Sequence, residues 1–329
     1  MRKSVAIIVM FLCLFINVEA QEQLSLRFDD NGEFKIVQFT DTHYKWGKKA
    51  SNAAIDCMRE VLDLESPDFV IITGDLVYSK SVDKSLPVLL DCIIQREIPF
   101  AIIMGNHDGE FDMSLNEIYD RVQSMPYCVM PERHDDRYLD YALAIRSNDG
   151  SRIASVMYCF DTHAGAKVDG IGGYDWIRYD QVGWYRNQSD LFAATNDGNP
   201  LPALAFMHIP VPEYAYAEGD DKAQLLGTKG ENVCCPKLNS GLFTSFCEKG
   251  DVMAAFCGHD HDNDFAVMHY GIMLAYGRYT GGNTVYNHLK PNGARVIVLK
   301  EDTRELDSWL RLRGGKTTNR LSYPDDLTR

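Results

Sequence analysis

The first third of the chain alternates short apolar runs with segments whose apolar residues recur every three or four positions, which predicts strands and helices in turn. Phe34 to Phe39 reads as a strand that stops at Asp41-Thr42-His43. Ala50 to Leu64 carries Ile55, Met58 and Leu62 on one helical face. Phe69-Val70-Ile71-Ile72 is a β-branched run that stops at Gly74-Asp75. A second helix follows, with Ser85-Leu86-Pro87 in its opening turn and Leu90, Ile93 and Ile94 on its apolar face. Phe100 to Met104 is a third apolar run, ending at Gly105-Asn106-His107-Asp108.

The second half is more mixed. Tyr138 to Ile145 and Ile153 to Phe160 alternate like antiparallel strands about the turn sequence Ser147-Asn148-Asp149-Gly150. A helix is expected over Tyr179 to Phe192. Short strands follow over Ala203 to Met207, Asp251 to Phe256, Asp264 to His269, Ile272 to Tyr276, Ala294 to Leu299 and Leu306 to Leu312. Near-continuous apolar strands between helices predict an α/β architecture, two mixed sheets face to face with helices outside. No Pro/Gly/Ser-rich linker, repeat or low-complexity stretch divides the chain, so residues 21–313 are expected to form one domain, with 314–329 as a polar, poorly ordered tail.

The amino terminus is different in kind. Arg2-Lys3, the apolar run Val5 to Ile16 and the small residues of Val18-Glu19-Ala20 have the plan of a cleaved signal peptide, residues 1–20, and imply a secreted or periplasmic protein. The apolar run falls short of the roughly 20 residues needed to span a bilayer as a helix, and no later segment reaches that length. Cleavage would remove Arg2, Lys3 and Glu19 and take the formal net charge from −14 to −15. Such an acidic chain offers no basic patch for a nucleic-acid backbone, which excludes nucleic acid as a general partner. Eight cysteines remain. Cys57, Cys92, Cys159 and Cys257 sit in apolar patterns that suit buried free thiols, whereas Cys234, Cys235 and Cys247 leave room for one bridge. The chain lacks a CxxC pair, which argues against a cysteine zinc site.

Chemistry gathers where the strands stop. Five strand ends carry five of the nine histidines: Asp41-Thr42-His43, Gly74-Asp75, Asn106-His107-Asp108, His208 after Met207, and Gly258-His259-Asp260-His261. Two divalent cations about 4 Å apart can hold the attacking and leaving oxygens of a displacement at phosphorus. Such a centre needs imidazoles, a bridging carboxylate and a neutral oxygen ligand. Asp41, His43, Asp75, Asn106, His208, His259 and His261 supply that set and leave His107 over.

The set and its order resemble the calcineurin-like metallophosphoesterases over nearly the whole chain after residue 20. The family pattern DxH, GD, GNH(D/E), a lone strand-end His and GHxH stands intact here. The resemblance implies a four-layer α/β/β/α sandwich. It implies one metal held by Asp41, His43, Asp75 and His261, with Asp75 bridging to a second held by Asn106, His208 and His259. It further implies a metal-bound hydroxide as nucleophile and His107 as the group that stabilises the phosphoryl charge or protonates the leaving alcohol, oriented by Asp108. The metals would be two ions of Fe, Mn or Zn, since His/Asp/Asn ligation suits all three.

Three further stretches resemble the small purple-acid-phosphatase-like subgroup: Gly173-Tyr174-Asp175-Trp176-Ile177, His208-Ile209-Pro210-Val211-Pro212-Glu213-Tyr214, and Asn239-Ser240-Gly241-Leu242-Phe243. That subgroup implies hydrolysis of phosphate monoesters, with a small phosphorylated molecule as substrate. The chain departs from true purple acid phosphatases, which have glycine where His43 stands and a tyrosine ligand in GDxxY. Here His43 is the expected ligand, and Tyr78 of Gly74-Asp75-Leu76-Val77-Tyr78 is expected to pack beside it. Arg278, Asn239 and Asn263 fall in stretches resembling site-edge loops and are candidates for substrate contact, Arg278 by clamping a phosphate oxygen. His163 of Asp161-Thr162-His163 repeats the DxH spelling without partner ligands. Two other functions stay open on these residues: a phosphodiesterase or nucleotide pyrophosphatase on the same site, and a metal-holding binding protein without turnover.

Overall fold

A computed structural model describes residues 24–133 and 137–327. The signal-peptide reading of residues 1–20 lies outside the described residues. Twelve strands form two six-stranded sheets. In the first, β1 (Glu33–Phe39), β2 (Phe69–Thr73) and β3 (Phe100–Ile103) are parallel. β10 (Gly293–Lys300), β11 (Leu306–Leu312) and β12 (Thr317–Tyr323) extend it antiparallel on the far side of β1. In the second, β5 (Ile153–Cys159), β6 (Ala203–Phe206), β7 (Val252–Cys257) and β9 (Ile272–Tyr276) are parallel. β4 (Tyr141–Arg146) and β8 (Ala266–His269) close its edges antiparallel.

The sheets are covered on both faces. Ile36, Leu204, Phe206, Phe256, Met273 and Val296 belong to one apolar cluster drawn from both sheets, which is the middle layer. The same cluster takes in the apolar faces of α1 (Asn52–Glu65) and α2 (Val82–Ile94) outside the first sheet. A second cluster packs Tyr158 and Phe160 under α4 (Tyr179–Ala194), α5 (Glu213–Glu218) and α6 (Leu242–Lys249) through Tyr185, Tyr214 and Phe246. The expected four-layer α/β/β/α sandwich is the fold observed.

Polar ties cross the middle layer beneath the strand ends. Gln38 Nε2 on β1 donates to Thr73 Oγ1 (2.9 Å) and to the Cys257 carbonyl on β7 (3.0 Å). Arg295, fully buried on β10, donates to the carbonyls of Tyr276 (2.6 Å) and Asp264 (2.8 Å) and to Ser308 Oγ (3.1 Å). A buried guanidinium is tolerated only when its donors are satisfied, and these partners belong to both sheets. The ties hold the two sets of parallel strand ends in fixed relation.

Several expectations change. The expected tail is not one over the described residues 314–327, because Thr317–Tyr323 forms β12 beside β11. Only Leu321 and Tyr323 of that strand are buried, so the alternation that marks a strand is diluted by five polar residues. The helix expected to open at Ser85 begins three residues earlier. Its first N–H groups, on Ser81 and Val82, are capped by Asp112 at 2.8 and 3.1 Å, a partner too distant in sequence to read. The helix α3 (Leu115–Gln123) went unmarked, although Ser114 and Glu117 form the capping box that its spelling Ser-x-x-Glu signals. All eight cysteines of the described residues are free, so Cys234, Cys235 and Cys247 form no bridge.

Candidate metal centre

The carboxyl ends of β1, β2 and β3 in one sheet and β6 and β7 in the other meet at one edge of the sandwich. Asp41, His43, Asp75, Asn106, His208, His259 and His261 all stand within five residues of those strand ends. Four of the seven, Asp41, His43, Asp75 and His259, hold left-handed backbone with φ of 54°, 40°, 55° and 76°. Non-glycine residues pay conformational energy there, and such strain gathers at functional sites. The adjoining glycines have a steric cause. A Cβ at Gly74 would overlap the His208 ring, one at Gly105 would strike Asp75, and one at Gly258 would overlap the Thr40 hydroxyl and come within 2.7 Å of Asp41 Oδ2.

Two groups of ligand-type atoms form, Asp41 with His43 and His261, and Asp41 with Asp75 and His208, each with its atoms within 4.8 Å of one another. His43 Nε2 lies 3.1 Å from His261 Nε2 and 3.9 Å from Asp41 Oδ1. His261 Nε2 lies 3.6 Å from the same Asp41 oxygen. Asp75 Oδ2, in the second group, stands 3.4 Å from His208 Nε2 and also 3.4 Å from His43 Nε2 of the first, while Asp41 belongs to both groups. Asn106 Oδ1 is 3.0 Å from His208 Nε2. The His259 ring stands 5.1 Å from the His208 ring, and its backbone N–H donates to Asp41 Oδ2 at 3.0 Å.

Backbone carbonyls select the tautomers, since a carbonyl can only accept. His208 Nδ1–H donates to Thr73 O (2.8 Å) and His261 Nδ1–H to Tyr286 O (2.9 Å), which turns each Nε2 toward the cluster. Asp41 Oδ1 and His259 Nε2 are buried without a hydrogen-bond partner. Buried acceptors facing other acceptors are costly unless a cation lies among them, and the donor set is one that borderline divalent metals take. The residues fit a pair of metal ions.

Without metal, burial works to raise the Asp41 carboxyl, but the His261 ring and the charge of His208 outweigh it and hold it at about 2. Burial opposes ionisation of Asp75 as well, yet the charge of His208 and the hydrogen bond from it hold the carboxyl well below the carboxylate range. Burial lowers His43 to about 4 and His259 to about 3, which leaves both neutral and able to ligate. His208 goes the other way. Against its burial, the charge of Asp75 and the hydrogen bond to it push the ring up to about 10. A proton on His208 thus occupies the charge-balancing role that a cation would fill.

His107 lies at the mouth, its backbone N–H on Asp75 Oδ1 (3.0 Å) and its side chain about one-third exposed. Asp108 does not orient it. The Asp108 carboxylate is buried and accepts N–H groups of Gly105 (2.8 Å), Asp75 (2.9 Å), Leu76 (2.8 Å) and Val77 (3.3 Å), so it clamps the GD and GNH loops together. The partner of His107 is Glu110, whose Oε1 lies 2.8 Å from Nδ1. Its spacing three residues after His107 was the available signal. Tyr78 packs its ring beside His43 and His107, at 5.3 and 4.8 Å between centroids. Tyr286 stacks on His261 at 4.3 Å, and Tyr174, from the stretch 173–177 marked by the resemblance, stands perpendicular to the His259 ring at 4.4 Å; nothing in the sequence marked Tyr286.

The three substrate candidates fare differently. Arg278 is buried and donates to Asp264 Oδ2 (2.5 Å) and to the carbonyls of Leu289 (2.8 Å) and Pro291 (2.6 Å), so it braces a loop and cannot clamp a phosphate. Asn263 Oδ1 accepts from Gly230 and Glu231 N–H, which makes it a loop anchor too. Asn239 is exposed, with its amide nitrogen on Glu213 Oε1 (2.6 Å). His163 bonds Gln181 Oε1 at 2.8 Å and stays outside the ligand groups.

A model of the family described as calcineurin-like phosphoesterase matches residues 34–263, from the first strand to just past the last ligand motif. The chain belongs to that family. Among relatives of this calcineurin-like phosphoesterase, the Arabidopsis thaliana protein named probable inactive purple acid phosphatase 14 is 30% identical over 312 residues, covering 84% of this chain and 77% of its own. Phosphatase DCR2 of Saccharomyces cerevisiae is 30% identical over 326 residues, covering 88% of this chain and 55% of its own. A dimetal phosphatase from Danio rerio shares the fold with a TM-score of 0.60 at 12% identity, covering 88% of this chain and 98% of its own. Three Arabidopsis relatives carry the words probable inactive in their names and the yeast one is named a phosphatase, so the names leave turnover to the residues.

Proposed function

We propose that the protein is a dinuclear metal-dependent phosphatase that hydrolyses phosphate monoesters of small molecules. One observation carries the reading: a single Asp75 oxygen lies 3.4 Å from an imidazole nitrogen of each ligand group. A carboxylate so placed could be shared by an ion in each group. Asp41, His43 and His261 would hold one ion, and Asn106, His208 and His259 the other, with Asp75 shared. When bound, two such ions neutralise phosphoryl charge and make water a competent nucleophile near neutral pH.

The chain's own residues do the rest. Asp41 and Asp75 set the charge of the centre, and the Thr73 and Tyr286 carbonyls fix its imidazoles. As water oxygen joins phosphorus, the bond from phosphorus to the alcohol oxygen breaks, and that oxygen needs a proton. His107 stands at the mouth with Nδ1 held by Glu110, which leaves Nε2 to deliver it. The first 20 residues support placement of the working enzyme outside the cytoplasm. Among the described residues no helix is long and apolar enough to cross a membrane.

The test pairs elemental analysis of the purified protein with turnover of an aryl phosphate monoester and the matching diester. About two metal ions per chain and faster monoester turnover are expected. Faster diester turnover would replace the monoester assignment, and two bound metals with neither ester hydrolysed would leave a binding role.

A further inference from the structure

The loop that follows His43 is basic in a chain whose formal net charge is −14. It carries Lys45, Lys48 and Lys49, and among the described residues none of the three is paired with a carboxylate, whereas Lys229, Lys249 and Lys300 are. Lys48 and Lys49 are exposed, while Lys45 is half-buried. The parallel bridge between Tyr44 and Val77 lays the start of this loop along the segment after Asp75, and a turn closes from the Lys48 N–H to the Lys45 carbonyl (3.1 Å). The Lys45 side chain is thereby held at the rim. Its Nζ lies 4.7 Å from the centre of the Tyr78 ring and donates to the Thr284 carbonyl at 2.9 Å.

Both neighbours of the ammonium belong to the walls of the metal centre. The Tyr78 ring packs on the rings of His43 and His107, with centroids at 5.3 and 4.8 Å. Thr284 stands two residues before Tyr286, whose ring stacks on His261 and whose carbonyl accepts from it. The ammonium therefore lies one ring beyond the first ligand group, on the side of His107. Thr284 is its hydrogen-bond partner among the described residues, which leaves two of its three donors. The rim carboxylates are turned elsewhere, Glu110 to His107 and Glu231 to the Asp262 N–H (2.7 Å) and the Tyr286 hydroxyl (3.1 Å). A partly desolvated ammonium with donors to spare and no carboxylate beside it calls for an anion. We propose that Lys45 receives a second phosphate group of the substrate, so that the substrate class is a small monoester carrying two phosphates. Lys48 and Lys49 add to the local field that draws such an anion toward an otherwise acidic protein. The inference rests on the phosphatase reading, with the first phosphoryl group at the metal centre.

The test is calorimetric titration of the metal-loaded protein with butylphosphonate and with 1,4-butylenediphosphonate at one ionic strength. The two share the anionic head and the carbon chain and differ in the second anion. The diphosphonate is expected to bind about twentyfold more tightly without loss of metal, about tenfold from a charge-assisted contact and about twofold from its two equivalent heads. Lys45→Met keeps the length of the side chain and removes its charge, and should cut that ratio about tenfold; Lys45→Arg should keep most of it. A ratio near two in the unaltered protein, or a full ratio in Lys45→Met, would overturn the inference. So would equal weakening of both ligands in Lys45→Met, which would make the residue a tether of the Thr284 loop alone. Absence of ester turnover, with the ratio and its dependence on Lys45 intact, would overturn the phosphatase reading and leave the anion contact standing.

Discussion

The different partners of Asp108 and Glu110 assign them different work, and two isosteric substitutions separate it. Asp108→Asn turns one carboxylate oxygen into an NH2 group, and each oxygen now accepts from two backbone donors: Leu76 and Val77 on Oδ1, Asp75 and Gly105 on Oδ2. Whichever way the amide lies, two buried N–H groups lose their acceptor. At about 1–3 kcal/mol for each unsatisfied donor, with repulsion from the new NH2 added, the cost is about 3–4 kcal/mol. Burial and the charge of Asp75 push Asp108 up to about 7, which trims that figure without reversing it. For a domain of this size the thermal midpoint should fall by roughly 10 °C, and metal affinity should fall with it because Asp75 is on the same loop. Glu110→Gln keeps a neutral hydrogen bond to His107 and loses the charge on a carboxylate that is 46% exposed. Its midpoint should stay within about 1 °C, while kcat drops by about fivefold as the charge-assisted bond is weakened. Circular dichroism melts, metal analysis and aryl phosphate kinetics on both variants make the test. If Asp108→Asn kept its midpoint and both metals yet lost turnover, while Glu110→Gln ran at full rate, the assignment drawn from these contacts would be wrong.

Three further outcomes follow, two from the site and one from β12. In the metal-free protein His43 and His259 are held at about 4 and about 3 against an ordinary value near 6.5, so the unfolded chain binds protons that the fold does not, and stability should fall as pH drops from about 6.5 toward 4. His208, raised to about 10, contributes stability that is complete below about 6.5 and lost as pH rises toward 10; bound metal displaces its proton, so melts across pH should show an alkaline decline without metal and a flatter limb with it. Truncation after Arg313 removes Leu321, Tyr323 and Leu327, all buried, and the Tyr323 hydroxyl bond to the Gly271 carbonyl (2.8 Å). At about 1.5–3 kcal/mol for each apolar side chain the loss approaches the whole stability of a domain, and a soluble fragment with a full melting transition would show that β12 is dispensable.

What could be read from the chain was what local rules govern. Apolar runs such as Phe69–Thr73 mark parallel strands because both faces are covered, and a polar residue at such a strand's carboxyl end reads as a ligand because regular pairing has just stopped. That reasoning brought Asp41, Asp75, His208 and His261 to one place, and the structure gathers them. What could not be read depends on partners distant in sequence. Arg278 looks like a phosphate clamp until Asp264 and the 289–291 carbonyls are seen to hold it. The Asp that follows His107 in GNHD is spelled as its partner, yet the left-handed turn at Asp75 presents three successive N–H groups, of Asp75, Leu76 and Val77, to that carboxylate. A side chain adjacent in sequence was thereby drawn away from the imidazole and into the loop, and Glu110, one turn further on, took the position beside Nδ1. Motif spelling records which residues meet at an edge; the N–H groups left unpaired by strained backbone decide what each of them does there.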